Sequence, residues 1–142
     1  MGIIVLVMRT ALFDEALTHS VIGAFFEVYN TLGFGFLEQL YARALEKELA
    51  SRGHQVKREF AVSVQYKGEL LGHQRLDMVV NDKVIVEIKA TDNLHRESQR
   101  QLFNYLRATN IEVGLLLHFS PTGARFYRLV CSNKAGRSAK IG

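Results

Sequence analysis

The sequence predicts an α/β domain in which a mixed central sheet, containing an antiparallel meander, is flanked by helices. Two observations carry this prediction. Apolar residues recur at three- and four-residue steps in two segments near the start, and alternating or wholly apolar segments that are typical of strands follow them. The resulting order is α-α-β-β-β-α-β-β, which is typical of helices packed on a mixed sheet. With 142 residues, we expect a single domain at residues 13–131, an N-terminal extension at 1–12 and a flexible basic tail at 132–142.

The helical pattern predicts a first helix over residues 13–32 and a second over 36–52. The glycines of Gly33-Phe34-Gly35 separate these two helices, because glycine allows the chain to turn with positive φ. We also predict a third helix over residues 94–108.

Alternation over residues 55–66 predicts a first strand, bent near Glu59, and residues 70–80 return as the next strand. Residues 84–89, 113–119 and 125–130 supply the other predicted strands. The third helix connects the strand at 84–89 to the strand at 113–119. Because such a crossover normally joins parallel neighbours, we expect these two strands to pair in parallel.

A hairpin around Asn81-Asp82-Lys83 carries the first chemical signal. If the ladder is symmetric about Asp82, Val80 pairs with Val84 and Asp77 lies directly opposite Glu87. Leu76 then pairs with Ile88. Alternation puts the apolar side chains on one face of the sheet, namely Leu76, Met78, Val80, Val84, Val86 and Ile88. The other face carries Arg75, Asp77, Val79, Ile85, Glu87 and Lys89.

Two carboxylates placed opposite each other need a positive partner. Their Cβ atoms would lie roughly 4.5–5.5 Å apart, where like charges destabilise a sheet. A divalent cation such as Mg²⁺ accepts hard oxygen ligands and commonly uses one or two carboxylates plus substrate phosphate. Asp77 and Glu87 are therefore candidate metal ligands, with Lys89 near the same substrate. The alternative is an exposed strand end at which Arg75 and Lys89 neutralise the two acids.

The third helix supplies a second signal. Gln101 and Tyr105 are four residues apart and share a helix face, and the Gln101 amide can orient a ligand or contact a nucleic-acid backbone. Arg96 and Arg100 add positive charge to this helix.

The composition excludes several classes of protein. The single cysteine, Cys131, excludes an internal disulfide and a multi-cysteine metal site. No secretory signal and no apolar run of about 18 residues is present, so we expect no membrane association and take the cytoplasm as the default compartment. The net charge of +4 permits a polyanionic partner without requiring one.

The segment Gly35-Phe36-Leu37-Glu38-Gln39-Leu40-Tyr41 resembles the signature of the GxxExxY protein family. That family is similar to the PD-(D/E)xK nuclease superfamily, which has a restriction-endonuclease-like fold. Asp77, Glu87 and Lys89 match the acidic and lysine positions of the superfamily motif, and Gln101-x-x-x-Tyr105 resembles the Q-x-x-x-Y motif of recombination nucleases. Leu76 stands where the superfamily name has proline, and His118 where asparagine is usual.

The resemblance implies a Mg²⁺- or Mn²⁺-dependent nuclease that acts on DNA more readily than on RNA, in DNA processing or repair. It implies metal binding by Asp77, Glu87, the Ile88 carbonyl and Glu38. Lys89 would act on the attacking water or the transition state, and Gln101 and Tyr105 would orient the site. Candidate phosphate contacts are Lys57, Arg58, Arg75, Arg96 and Arg100.

Two alternatives stay open. The chain could be a catalytically silent module with a nuclease fold that binds nucleic acid or another protein. It could also be a subunit whose activity depends on a homodimer or on a protein partner.

Overall fold

The computed structural model describes residues 14–132 and confirms the predicted fold class. The helices are α1 (Glu15–Leu32), α2 (Glu38–Ser51) and α3 (Arg96–Arg107), and the strands are β1 (Val56–Tyr66), β2 (Glu69–Val80), β3 (Val84–Ala90), β4 (Val113–Ser120) and β5 (Gly123–Val130). The predicted extension at 1–12 lies outside the described residues, as does the predicted tail after Ser132. Within residues 14–132, no helix is both long enough and apolar enough to cross a membrane.

The five strands form one sheet in the order β1-β2-β3-β4-β5. β1, β2 and β3 are an antiparallel meander, β3 and β4 are parallel, and β5 returns antiparallel to β4. Helix α3 makes the crossover between β3 and β4, as expected for a parallel pair. The sheet therefore has the predicted mixed topology.

Helices cover both faces of the sheet. One apolar cluster joins α1 and α2 to Met78, Val86 and Ile88 of the central strands. A second cluster joins α3 to Val79 and Ile85 on the opposite face. All eight residues of β4 are buried, because helices cover both faces of the sheet at this strand. This explains why β4 is apolar along nearly its whole length.

The turn between β2 and β3 has the predicted geometry. Asn81 and Asp82 both adopt positive φ, at 52° and 55°, which asparagine and aspartate tolerate, and the Lys83 amide donates to the Val80 carbonyl at 2.9 Å to close the turn. The ladder next to the turn has the predicted register, in which Val80 pairs with Val84 and Met78 with Val86.

Beyond Met78 the predicted register is wrong. The β2–β3 ladder ends at the Met78–Val86 pair, so Leu76 does not pair with Ile88 and Asp77 does not pair with Glu87. Leu76 also packs on the α3 face, whereas Met78 packs on the α1–α2 face. The prediction that they share a face is therefore wrong as well.

The cause is a change of face in both β1 and β2. Glu59 has a φ of 51°, and the β1–β2 ladder pairs the residues on either side of Glu59 and Asp77 but not these two with each other. Before this point Val56 packs toward α1 and α2; after it Phe60 packs toward α3. The bend predicted near Glu59 is thus the position at which the strands turn over.

Past this bend, β1 and β2 continue as a two-stranded arm that pairs with no other strand within the described residues. We call residues 60–76 the β1–β2 arm. Its outer end carries exposed apolar side chains, namely Val64, Tyr66, Leu70 and Leu71.

Candidate active site

Asp77 and Glu87 meet where β2 and β3 separate. The Asp77 amide donates a hydrogen bond to Glu87 Oε2 at 3.1 Å, and the Ile88 amide donates one to Asp77 Oδ2 at 2.7 Å. The two carboxylates thus accept hydrogen bonds from two backbone amides that lie beyond the end of the β2–β3 ladder. This exchange holds both carboxylates between the strands.

Both carboxyl groups of this pair have raised pKa values, because both are largely buried. Burial, and after it the charge of the neighbouring Asp77 carboxylate, raise the pKa of Glu87 to about 8, although the hydrogen bond from the Asp77 amide and the charge of Lys89 act in the opposite direction. Burial also raises the pKa of Asp77, with Glu38 acting in the same direction. Such a pair is strained when both acids are ionised, and a cation between them would relieve the strain.

Glu38 lies in the first turn of α2, and its Oε2 accepts a hydrogen bond from the Ala90 amide at the end of β3. Tyr41, one turn later, fixes the segment that leads into this helix. Its hydroxyl donates to the Gly33 carbonyl and accepts from the Phe36 amide, while its ring stacks on Phe119 with centroids 4.0 Å apart. The glutamate and the tyrosine of the motif thus have separate tasks: one faces the strand end, and the other anchors the loop.

A cavity of about 170 Å³ opens on the α2 side of the strands; we call it the Asp77 cavity. Three of the four predicted metal ligands, Glu38, Asp77 and Ile88, line it, together with Arg58. Within residues 14–132, no group of three or more His, Cys, Asp or Glu side chains is arranged to hold a metal ion. Because Mg²⁺ often uses only one or two carboxylates and completes its shell with water and phosphate, the adjoining pair still fits this ion.

Lys89 faces a different space, a cleft of about 780 Å³ between α3 and the β1–β2 arm, which we call the α3 cleft. Arg100, Gln101 and Tyr105 line the same cleft. The structure therefore divides the predicted site residues between two cavities. Glu87 is only 8% exposed and lines neither cavity. Lys89 is nevertheless close enough to Asp77 and Glu87 to lower the pKa of each carboxyl group.

Tyr105 connects the α3 cleft to the acids. Its hydroxyl donates to Gln74 Oε1 at 2.9 Å, and the Gln101 side chain lies close enough to lower the pKa of the hydroxyl. Burial, together with the charges of Glu87 and Asp77, raises the pKa of Tyr105 to about 12. At neutral pH the hydroxyl therefore stays protonated and acts as a hydrogen-bond donor.

The five predicted phosphate contacts differ in their surroundings. Three of them form ion pairs: Lys57 with Asp82 at 2.8 Å, Arg58 with Glu46 at 3.2 Å, and Arg75 with Glu59 at 3.4 Å. Arg96 and Arg100 are exposed on α3 and form no ion pair within the described part of the chain.

His118 lies beside Lys89 in the parallel ladder and is 2% exposed. Its Nε2 lies 2.8 Å from the Thr91 carbonyl oxygen. Because a carbonyl only accepts, Nε2 carries the proton and ties the segment after β3 to β4. Nδ1 is buried and has no hydrogen-bond partner among the described residues.

Gln74 was not among the predicted site residues. It lies three positions before Asp77 in a strand with many polar residues, so no local pattern distinguishes it. Its role depends on a contact with a helix 31 residues later, which alternation cannot indicate.

Residues 15–129 match the sequence model of a family described as PDDEXK_3, PD-(D/E)XK nuclease superfamily. Among solved structures, the crystal structure of SSO0001 is similar to this chain, with a TM-score of 0.53 and 18% identity. The similarity covers 94% of this chain and 67% of that one, and at this identity it shows the fold alone. A search of curated proteins gives no match.

Proposed function

This chain belongs to the PD-(D/E)XK nuclease superfamily, and on that premise we propose that it hydrolyses phosphodiester bonds of nucleic acid, DNA in preference to RNA, with a divalent metal ion. One observation carries the proposal. Asp77 and Glu87 are held together by main-chain hydrogen bonds in a place where burial raises both pKa values. A fold that keeps two acids so close provides hard oxygen ligands for Mg²⁺ or Mn²⁺.

Asp77, Glu87 and the Ile88 carbonyl would hold the ion, with Glu38 at the edge of the Asp77 cavity. Bound there, the ion lowers the pKa of a coordinated water and stabilises negative charge on the phosphoryl oxygens. Membership of the GxxExxY family is part of the proposal; the segment from Gly35 to Tyr41 supports it.

Lys89 extends from the strand that carries Glu87 and lines the α3 cleft. Its ammonium would orient the attacking water and stabilise the charge that develops on the phosphate. Tyr105, protonated at neutral pH, would keep Gln101 directed toward the substrate strand. Among the five predicted phosphate contacts, Arg96 and Arg100 are the ones not committed to an ion pair within the described residues, and we propose that they bind phosphate.

A second candidate is a nuclease-fold module that binds nucleic acid or a protein without cleaving. The division of the predicted residues between two cavities supports it, since Lys89 and Asp77 face different spaces. The two candidates make different predictions for activity, although both allow binding.

The test is cleavage of single-stranded, double-stranded and branched DNA, and of RNA, with Mg²⁺ or Mn²⁺ and with an EDTA control. We expect metal-dependent cleavage that Glu87→Gln abolishes and that Glu48→Gln, an acid at the far end of α2, preserves. Cleavage that survives in EDTA, or that is equal in both variants, would contradict the proposal. A protein that binds nucleic acid but cleaves none of these substrates would support the second candidate.

A further inference from the structure

The α3 cleft has room and chemistry that phosphodiester hydrolysis alone does not explain. Val62 and Val64 of the β1–β2 arm contribute apolar side chains to its lining. Its rim carries three side-chain amides, those of Gln74, Gln101 and Asn104. An apolar lining with a few amide donors and acceptors is suited to a flat ligand that has an apolar face and a polar edge.

Small and medium-sized residues of the β1–β2 arm face the α3 cleft. Val62 pairs with Gln74 and Val64 with Gly72, so these four residues share the face that looks toward α3. Gly72 has no side chain, and a Cβ built there would meet no heavy atom within 4 Å. A side chain at position 72 would therefore have room, and it would extend from the same face as Val64, which lines the cleft.

The cleft is continuous with the residues assigned to the reaction. Lys89 and Tyr105 line it, and Tyr105 is close enough to Asp77 and Glu87 to be influenced by their charges. Arg100 lies at its wall. A ligand here would thus lie next to the phosphate held at the acids, with a cation beside it.

From these observations we infer that the α3 cleft binds one unstacked nucleobase of the substrate strand, so that the substrate is single-stranded or locally unpaired nucleic acid. The inference rests on the proposed function and specifies its substrate class. A cleft of about 780 Å³ accommodates a base with its sugar. A paired and stacked base cannot present its face to Val62 and Val64, which is why a duplex would have to open first.

The first experiment measures binding without cleavage, by fluorescence anisotropy in EDTA, with a single-stranded oligonucleotide of about a dozen nucleotides. The oligonucleotide carries one abasic site, moved through every position in turn. We expect one or two adjacent positions at which loss of the base weakens affinity by about tenfold, because a stacked base contributes on that scale. We also expect a duplex of the same length to bind more weakly. An equal effect at all positions would overturn the base pocket.

The second experiment fills the cleft. Gly72→Phe places a ring on the cleft face without backbone strain, because Gly72 is outside the positive-φ region and its surroundings are open. Ser63→Phe is the matched control, since Ser63 is exposed and its ladder position puts it on the opposite face of the arm. Gly72→Phe should weaken single-strand binding about tenfold and remove the dependence on abasic position; Ser63→Phe should preserve both.

The outcomes separate the two proposals. Metal-dependent cleavage by a protein with no position-dependent binding would overturn the base pocket and leave the nuclease proposal in place. Equal affinities for Gly72→Phe and Ser63→Phe would overturn the pocket in the same way. A protein that neither binds nor cleaves any nucleic acid would overturn both.

Discussion

Asp77 and Glu87 connect β2 to β3 through their side chains at the position where the backbones stop pairing. A carboxylate on each strand accepts a hydrogen bond from a main-chain amide of the other strand, at 3.1 Å and 2.7 Å. The acids therefore have a structural task as well as a proposed chemical one. Substituting either acid should therefore affect both the stability of the fold and the proposed activity.

The first prediction concerns pH in the absence of metal. The pKa of Glu87 is about 8 in the folded protein against an ordinary value of 4.5, so between these values the folded state keeps a proton that the unfolded chain releases. The free energy of unfolding should fall as pH rises through this range, by on the order of 2–4 kcal/mol, and the raised pKa of Asp77 acts in the same direction. Urea unfolding in EDTA at several pH values measures this slope.

Glu87→Gln is the matched variant for that slope, because the amide oxygen can still accept from the Asp77 amide. The variant should show a flatter dependence on pH, and at pH 8 it should be no less stable than the wild type. A wild-type protein whose stability rises between pH 5 and 8 would show that the acids are ionised at little cost.

The second prediction separates the role of Lys89 from metal binding. Lys89→Ala removes a cation proposed to act in the transition state, so cleavage should slow by about 100-fold while the Mn²⁺ affinity changes little. Single-turnover cleavage and calorimetric metal titration measure the two quantities. Lys83→Ala is the control, since it removes an equal charge from the exposed hairpin turn. A comparable loss of activity in both variants would reduce Lys89 to a general electrostatic contribution.

The third prediction concerns Glu38. Glu38→Gln preserves an oxygen that can accept from the Ala90 amide but removes the charge from the Asp77 cavity. Divalent-ion affinity should weaken by about tenfold if this acid takes part in binding. If it only complements the positive end of α2, stability should change by about 0.3–1 kcal/mol and metal affinity should stay constant. Isothermal titration with Mn²⁺ distinguishes these results.

The fourth prediction tests how closely α3 packs on β4. A Cβ added at Gly114 would lie 2.9 Å from Leu102 Cδ1 and 3.1 Å from Cγ, the branch point of this fully buried side chain. Gly114→Ala should therefore destabilise the fold by about 1–3 kcal/mol. Adding Leu102→Val should recover part of this loss, because the smaller side chain makes room. Strictly additive effects in urea unfolding would show that the two residues do not compete for space.

The fifth prediction concerns His118, whose Nε2 holds the Thr91 carbonyl. His118→Phe leaves that carbonyl without its partner and should cost about 1–3 kcal/mol. His118→Gln can still present a donor and should cost less. Equal losses by thermal unfolding would mean that ring packing, rather than the hydrogen bond, determines the contribution of this residue.

The sequence allowed the element order, the mixed sheet and the hairpin turn to be predicted, because each depends on local periodicity or on the turn chemistry of Asn81 and Asp82. The faces beyond Met78 were predicted wrongly for a physical reason. β1 and β2 turn over together near Glu59 and Asp77, so Leu76 and Met78 keep even spacing although they face opposite sides of the sheet. The alternation of apolar and polar residues indicates a continuous strand, but it does not reveal a position at which two paired strands change faces together.

The candidate site could be predicted as a set of residues but not as an arrangement. Asp77, Glu87 and Lys89 are near each other in sequence, and their proximity follows from the hairpin. The separation of Asp77 from Lys89 into two cavities depends on the turn-over, and the Gln74–Tyr105 hydrogen bond depends on how α3 crosses the sheet. Both are tertiary features that no sequence spacing encodes.

The anchoring of Tyr41 has a consequence for heat inactivation. Its ring lies in the core against Phe119 and its hydroxyl accepts and donates hydrogen bonds in the loop before Glu38, so the position of this part of α2 depends on the packing of the core. Loss of the proposed ion binding and loss of the core should then occur in one cooperative transition. A protein warmed slowly would keep its full metal affinity until the temperature at which it melts, and would regain it on cooling only to the extent that it refolds.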